Sequence, residues 1–211
     1  MAQINTKSNY FGNWQNNRIK FMLDKYGSDF FKDKKILELG SFNGYIGNFF
    51  QKELGADVTC VEGRFENVMF MYFNYPNLKI IQKNMDSKEW DLGKFDIIIN
   101  FGLYYHLEFF HKEHMENCIN NCDLMFFESV IYDSFEPEIY FRQESGNDQS
   151  LSAQGGNPST SYVENMFKEN NCKFTKYSDS VLNGELHHYD WSDLNSKKFD
   201  LYARRFWIVE N

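Results

Sequence analysis

The segment Lys35-Ile36-Leu37-Glu38-Leu39-Gly40-Ser41-Phe42-Asn43-Gly44-Tyr45-Ile46-Gly47 constrains the fold of this chain more than any other. A short apolar run ends in an acid, and a glycine-rich turn follows at once. An amphipathic stretch, residues 45–54, comes next. The order predicts a strand, a tight loop and a helix start, an arrangement that presents backbone N–H groups to a nucleotide-like ligand. A dinucleotide fold places its acid about 20 residues later, after the second strand. Here both acids are present, Glu38 at the first strand and Glu62 after the second.

The rest of the chain repeats the alternation. Strands are expected over 35–39, 57–61, 78–82, 95–100, 124–128, 173–177 and 202–209. Helices are expected over 12–27, 44–54, 65–73, 108–120 and 161–169, the last capped by Ser159 or Thr160. The largely apolar run 95–100, with Ile97, Ile98 and Ile99 in succession, suits a central parallel strand covered on both faces. Strand–helix alternation of this kind predicts an α/β, doubly wound, mostly parallel sheet. Ligands of such sheets bind beyond the carboxyl ends of the strands, where the loops after strands one, two and four meet.

One domain over 1–211 is the simplest division, with an N-terminal helical segment at 1–34. The pattern breaks twice. Residues 129–158 are polar, hold two of the three prolines and contain Gly155-Gly156. Residues 178–200 form a second excursion. Both are expected to cover the site.

Composition narrows the function. The net charge of −8 disfavours a broad phosphate-binding surface. The 22 Phe and 13 Tyr are mostly expected in the core, although the cluster at 101–110 is too dense for packing alone. The polar N-terminus lacks the apolar core of a signal peptide, and no window nears the ~20 apolar residues of a membrane span. Four cysteines with no CxxC pair are expected to be reduced, buried thiols of a cytoplasmic protein rather than a zinc site. His111 and His114, three apart with Glu113 between them, fit no metal motif and are expected on a solvated helix face.

The run Glu38-x-Gly40-x-Phe42-x-Gly44, with Glu62 downstream, resembles the first motif of the class I S-adenosylmethionine-dependent methyltransferases, acid-x-Gly-x-Gly-x-Gly. It matches at Glu38, Gly40 and Gly44 and departs at Phe42. The departure counts against a nicotinamide or flavin fingerprint, which needs a glycine there for a pyrophosphate. S-adenosylmethionine has no pyrophosphate. Gly102-Leu103-Tyr104-Tyr105-His106-Leu107 is similar to a subgroup with Gly-x-x-Tyr-His-Leu after strand four. Residues 124–129 and 156–159 also look like that subgroup. It includes enzymes modifying wobble uridine in tRNA and many small-molecule and sugar methyltransferases. The resemblance spans about residues 35–177.

The resemblance implies a Rossmann-like seven-stranded sheet whose last strand is antiparallel, and S-adenosyl-L-methionine as cofactor. It implies cofactor contacts at Glu38, Gly40, Ser41, Phe42, Asn43 and Gly44, whose loop amides would meet the cofactor's carboxylate. Further contacts are implied at Glu62, Gly63 and Arg64, with Glu62 accepting the ribose hydroxyls. Asn84, Met85 and Asp86 would flank the adenine, and Asn100, Phe101 and Gly102 the methyl end.

His106 is a candidate base, since imidazole changes charge near neutral pH. His188 is a second, because on an extended segment it shares a side with Asp190. Tyr104, Tyr105 and Trp191 would line the acceptor pocket. Arg204 and Arg205 alternate on the last strand, so one is expected outward and Arg204 is placed to touch an acidic substrate. The expected reaction is methyl transfer to a small polar acceptor, first a hydroxyl of a sugar or related metabolite, with no membrane involved. The alternatives are a tRNA-modifying methyltransferase, which would need a basic cluster such as Lys7, Arg18, Lys20, Arg64 and Arg142, and an inactive cofactor-binding subunit.

Overall fold

A computed structural model describes residues 8–146, 149–184 and 186–211. Its centre is a seven-stranded sheet in the order β3-β2-β1-β4-β5-β9-β8. The strands are β1 (Lys35–Leu39), β2 (Asp57–Glu62), β3 (Lys79–Gln82), β4 (Phe95–Phe101), β5 (Cys122–Tyr132), β8 (Lys173–Tyr177) and β9 (Phe199–Glu210). Pairings among the first five are parallel, and β9 runs antiparallel between β5 and β8. This is the Rossmann-like, mostly parallel sheet with an antiparallel last strand that the sequence predicts. β6 (Ile139–Gln143) and β7 (Gln154–Pro158) form a separate antiparallel ribbon.

Helices cover both faces. On one, α1 (Ser8–Tyr26), α2 (Tyr45–Leu54) and α3 (Phe65–Asn74) pack on alternate sheet residues, with Met22, Phe50, Met71, Val58, Ile97 and Phe126 in one apolar cluster. On the other, α4 (His111–Asn120) and α5 (Thr160–Glu169) bury Met115, Val163 and Phe167 against Leu37, Ile98 and Trp207. Strands buried on both faces read as continuous apolar runs, which is why β4 was visible in the sequence. Ser159 caps α5 by accepting from the Tyr162 amide at 3.1 Å.

β5 departs from the expectation that it ends at residue 128. It continues because Ser129, Val130 and Tyr132 pair with Arg205, Arg204 and Phe199, with a register shift between Val130 and Tyr132. The polar residues there were misleading: Ser129 is completely buried and its ladder bonds come from β9.

α4 corrects a second expectation. His111 and His114 are buried, not solvated. His114 lies 2.9 Å from Asn100 Nδ2 through Nε2 and 3.3 Å from the Met85 carbonyl through Nδ1. His111 Nε2 lies 3.0 Å from the Gly156 carbonyl, tying α4 to the β6–β7 ribbon. Burial pushes both imidazoles down, His114 to about 4, so both are neutral near pH 7. No described helix is long and apolar enough to cross a membrane.

Candidate functional site

A cavity of about 360 Å³ opens beyond the carboxyl ends of β1, β2 and β4. Of the residues singled out in the sequence, the glycine loop (Glu38, Gly40, Ser41, Phe42), the end of β2 (Glu62, Gly63, Arg64) and the turn after β3 (Asn84, Met85, Asp86) line it. So do Phe101, Gly102, Tyr105, His106 and Arg204.

The first loop is built around two carboxylates. Glu38 Oε2 accepts from the Gly47 amide at 2.9 Å and from Cys60 Sγ–H at 3.3 Å, pinning the start of α2 to β1 and β2. A Cβ on Gly47 would stand 2.7 Å from that oxygen and 2.5 Å from Cys60 Sγ, so only glycine fits. Burial, with the charge of Glu62 adding, pushes the Glu38 carboxyl up to about 7 against those two hydrogen bonds. Glu62 accepts from the Phe42 amide through Oε2 and the Arg64 amide through Oε1, both at 2.8 Å. Each oxygen has a further lone pair for a ligand donor. Phe42, where the motif has glycine, takes the left-handed backbone itself (φ 50°) and donates its amide to Glu62. That conformation costs a non-glycine residue about 1–2 kcal/mol.

Several of the loop's amides are already engaged. Ser41 N donates to the Val61 carbonyl, Gly44 N to the Ser41 carbonyl, and Tyr45 N to Asn43 Oδ1. Phe42 N and Gly47 N are bound to the two glutamates. Asn43 and Gly44 also lie outside the cavity lining: Asn43 Oδ1 accepts from buried Gln15 at 3.0 Å, and Gly44 packs against Met71.

The adenine-side residues divide their work. Asn84 Oδ1 accepts the Asp86 amide at 2.9 Å in a local turn. The Asp86 carboxylate accepts from the amides of Glu108, Phe109 and Phe110, capping the approach to α4. Asn100 and Tyr104 are completely buried and do not face the cavity. Asn100 serves His114, and Tyr104 donates to the His111 carbonyl at 2.9 Å.

His106 faces the cavity with Nδ1 2.6 Å from Glu144 Oε2. Glu144, unmarked in the sequence, is buried in the loop between β6 and β7. It also accepts from the Ser150 amide at 2.7 Å and from Arg142 at 2.5 Å. Burial pushes the Glu144 carboxyl up, but His106, the Ser150 amide and Arg142 together hold it below its ordinary value. A carboxylate on Nδ1–H leaves Nε2 as the basic nitrogen. The same loop covers the cavity: Leu151 lies over Gly63, and Arg64 donates to the carbonyls of Gln149 and Ser150 at 2.5 and 3.2 Å.

The second candidate base is elsewhere. His188 Nε2 lies 3.1 Å from Asp200, and Asp190 Oδ1 accepts from Asn183, so the two do not pair and neither lines the cavity. Alternation is broken by bends at Leu186 and Tyr189, and His187 lines the cavity instead. Trp191 also lies off the lining; its indole donates to the Arg204 carbonyl at 2.9 Å and its ring stacks on Arg205.

Both Arg204 and Arg205 are buried, against the expectation that one faces out. Arg204 Nη1 contacts Glu128 Oε1 at 2.5 Å, and Nη2 donates to the Tyr105 hydroxyl at 3.0 Å. Arg18 takes the other oxygen of Glu128 at 2.6 Å. Burial alone would raise the Glu128 carboxyl; the two guanidiniums overcome it and hold it low. Of the basic cluster that a tRNA substrate would need, Arg18, Arg64 and Arg142 are spent on internal partners, Lys20 is exposed, and Lys7 lies outside the described residues. Trp14 and Gln15 of α1 line the cavity too.

No family model matches the sequence, and no curated protein does. Solved structures match the fold. The N-terminal domain of EvdMO1, described in the presence of SAH and D-fucose, is similar with a TM-score of 0.68 at 14% identity, over 94% of this chain and 82% of that one. A S-adenosylmethionine-dependent methyltransferase from Clostridium acetobutylicum is similar with a TM-score of 0.60 at 10% identity, over 95% and 91%. The plantazolicin methyltransferase BpumL, in complex with a triazolic desmethylPZN analog and SAH, is similar with a TM-score of 0.63 at 14% identity, over 97% and 89%. The chain therefore has the Rossmann-like fold that these methyltransferases share.

Proposed function

We propose that this protein is a S-adenosylmethionine-dependent methyltransferase acting on a small polar acceptor, with a hydroxyl of a sugar or related metabolite as the leading choice. The observation that carries the reading is that Glu62 and His106, the latter held by Glu144, border one cavity. The cavity suits the cofactor. Its volume lies within the few hundred Å³ of small-molecule sites. Glu62 keeps acceptor capacity for ribose hydroxyls, and Met85, Leu103 and Leu107 offer apolar walls.

S-adenosylmethionine supplies a methyl group made electrophilic by a sulfonium. The chain's own residues bind, orient and deprotonate. Glu62 fixes the sugar end, and the loop from Glu38 to Gly47 holds its shape through buried hydrogen bonds. His106 Nε2 takes the acceptor's hydroxyl proton, while Glu144 fixes the tautomer and stabilises the imidazolium that results. Leu151 and the β6–β7 loop keep water out. A sugar acceptor draws support from EvdMO1, whose N-terminal domain is described with D-fucose.

Calorimetric titration with S-adenosylhomocysteine is the first test, with saturable micromolar binding expected. Absence of any saturable heat at millimolar ligand rejects the reading. Transfer of label from methyl-labelled cofactor to a panel of sugars, against amines and tRNA, then tests the acceptor.

A further inference from the structure

The amides of Ser41, Phe42, Gly44, Tyr45 and Gly47 already serve internal partners, and another part of the cavity lining carries donors without partners among the described residues. Arg204 lines the cavity and is only 4% exposed. Its two terminal nitrogens serve Glu128 and Tyr105, but its Nε has no partner among the described residues. Trp14 lines the same cavity, and its buried Nε1 is likewise partnerless. Behind it the Arg18 guanidinium stacks on the indole at 4.1 Å, with Nη2 also unmatched.

Charge points the same way. Arg18 and Arg204 share the single carboxylate of Glu128, so this trio carries a surplus positive charge out of contact with water. His187, on the same wall, adds none: burial, then the charges of Arg204 and Arg18, push its imidazole far down. An uncompensated buried cation is costly, and an anion delivered by a ligand offsets that cost.

We propose that the wall formed by Arg204 and Trp14, backed by Arg18, seats a carboxylate carried by the ligand of this cavity. Partnerless N–H donors beside a surplus positive charge suit an anionic oxygen acceptor, and a carboxylate is the anion that an S-adenosylmethionine-type ligand carries. The proposal rests on the methyltransferase reading for the identity of the ligand, not for the chemistry of the wall. Under that reading the acid is either the amino-acid end of the cofactor or an acid on the acceptor.

The test uses the full chain. The indole Nε1–H resonance of Trp14, assigned by its loss in Trp14→Phe, is followed while formate, acetate and benzoate are titrated in. The titrations are made on free protein, on protein saturated with 5′-methylthioadenosine, which lacks the amino-acid end, and on protein saturated with S-adenosylhomocysteine. A saturable shift in the first two states that S-adenosylhomocysteine abolishes assigns the wall to the cofactor's acid. A shift that survives S-adenosylhomocysteine assigns it to the acceptor's. For the cofactor source, calorimetry should show S-adenosylhomocysteine binding at least about 10-fold tighter than 5′-methylthioadenosine, a preference that Arg204→Lys and Trp14→Phe each erode. No shift of Trp14 with any acid in any state overturns the proposal. Failure of both nucleosides to bind while acids still move Trp14 sinks the methyltransferase reading and leaves the wall standing.

Discussion

Nδ1 of His106 lies 2.6 Å from Oε2 of Glu144, joining the loop after β4 to the loop between β6 and β7. The imidazole thereby presents one defined face to the cavity.

Removing either member should slow chemistry without weakening the cofactor's hold. His106→Asn is expected to lower kcat by about 10²–10⁴-fold, the usual worth of a general base. Glu144→Gln should lower it less and move the acid limb of the pH–rate profile, while Kd for S-adenosylhomocysteine stays within about twofold. Stopped-time label transfer and calorimetry check both. Unchanged kcat in His106→Asn would sink the base assignment.

Glu62→Ala removes the partner of two backbone amides and the proposed ribose acceptor together. Each lost buried partner costs about 1–3 kcal/mol, so the melting midpoint should fall and S-adenosylhomocysteine affinity drop by at least about 10-fold. Glu62→Gln, which keeps the volume and one acceptor, should recover much of the stability but little of the affinity. Thermal melts and calorimetry separate the two effects.

Glu38 and His114 give opposite pH signatures. Folding raises the Glu38 carboxyl to about 7, so the native state holds its proton more tightly than the unfolded chain. Its contribution is full below the unfolded value and lost as pH climbs toward 7, by at most about 3 kcal/mol. Folding lowers His114 to about 4, so its contribution is full above pH 6.5 and lost as pH falls toward 4, by a similar amount. Relative to wild type, Glu38→Gln should therefore gain stability between pH 5 and about 7. His114→Gln should lose less than wild type on going from about pH 7 to 5. Urea unfolding across that range checks the signs; parallel curves would refute both.

Glu128→Gln should be among the most damaging single changes. It strips the one carboxylate from two buried guanidiniums, and breaking a buried pair in this way costs about 3–5 kcal/mol. Chemical denaturation measures it; a loss under about 1 kcal/mol would mean the arginines find other partners.

Much of the sheet was legible in the sequence because strands covered on both faces announce themselves as apolar runs, and because Glu38, Gly40 and Gly44 mark the first turn. Residues at the tips of β1, β2 and β4 were legible for the same reason: topology alone puts them together. What escaped was decided by long-range partners. Glu144 reaches His106 across 38 positions, and no local pattern couples them. His114 looked solvated beside Glu113, but Asn100 and the Met85 carbonyl supply hydrogen bonds that make its burial affordable. Arg18 and Arg204 are ordinary surface residue types until Glu128 is seen between them. Ser129 looked like the end of a strand, but its hydroxyl donates to the Val130 carbonyl and β9 continues the ladder.

The loop between β6 and β7 carries two jobs on one short span: Glu144 steadies the imidazole, and Leu151 and the carbonyls gripped by Arg64 shut the rim at Gly63. Ser150 joins the two jobs: its amide donates to the carboxylate that steadies the imidazole, while its carbonyl accepts from the Arg64 guanidinium at the rim.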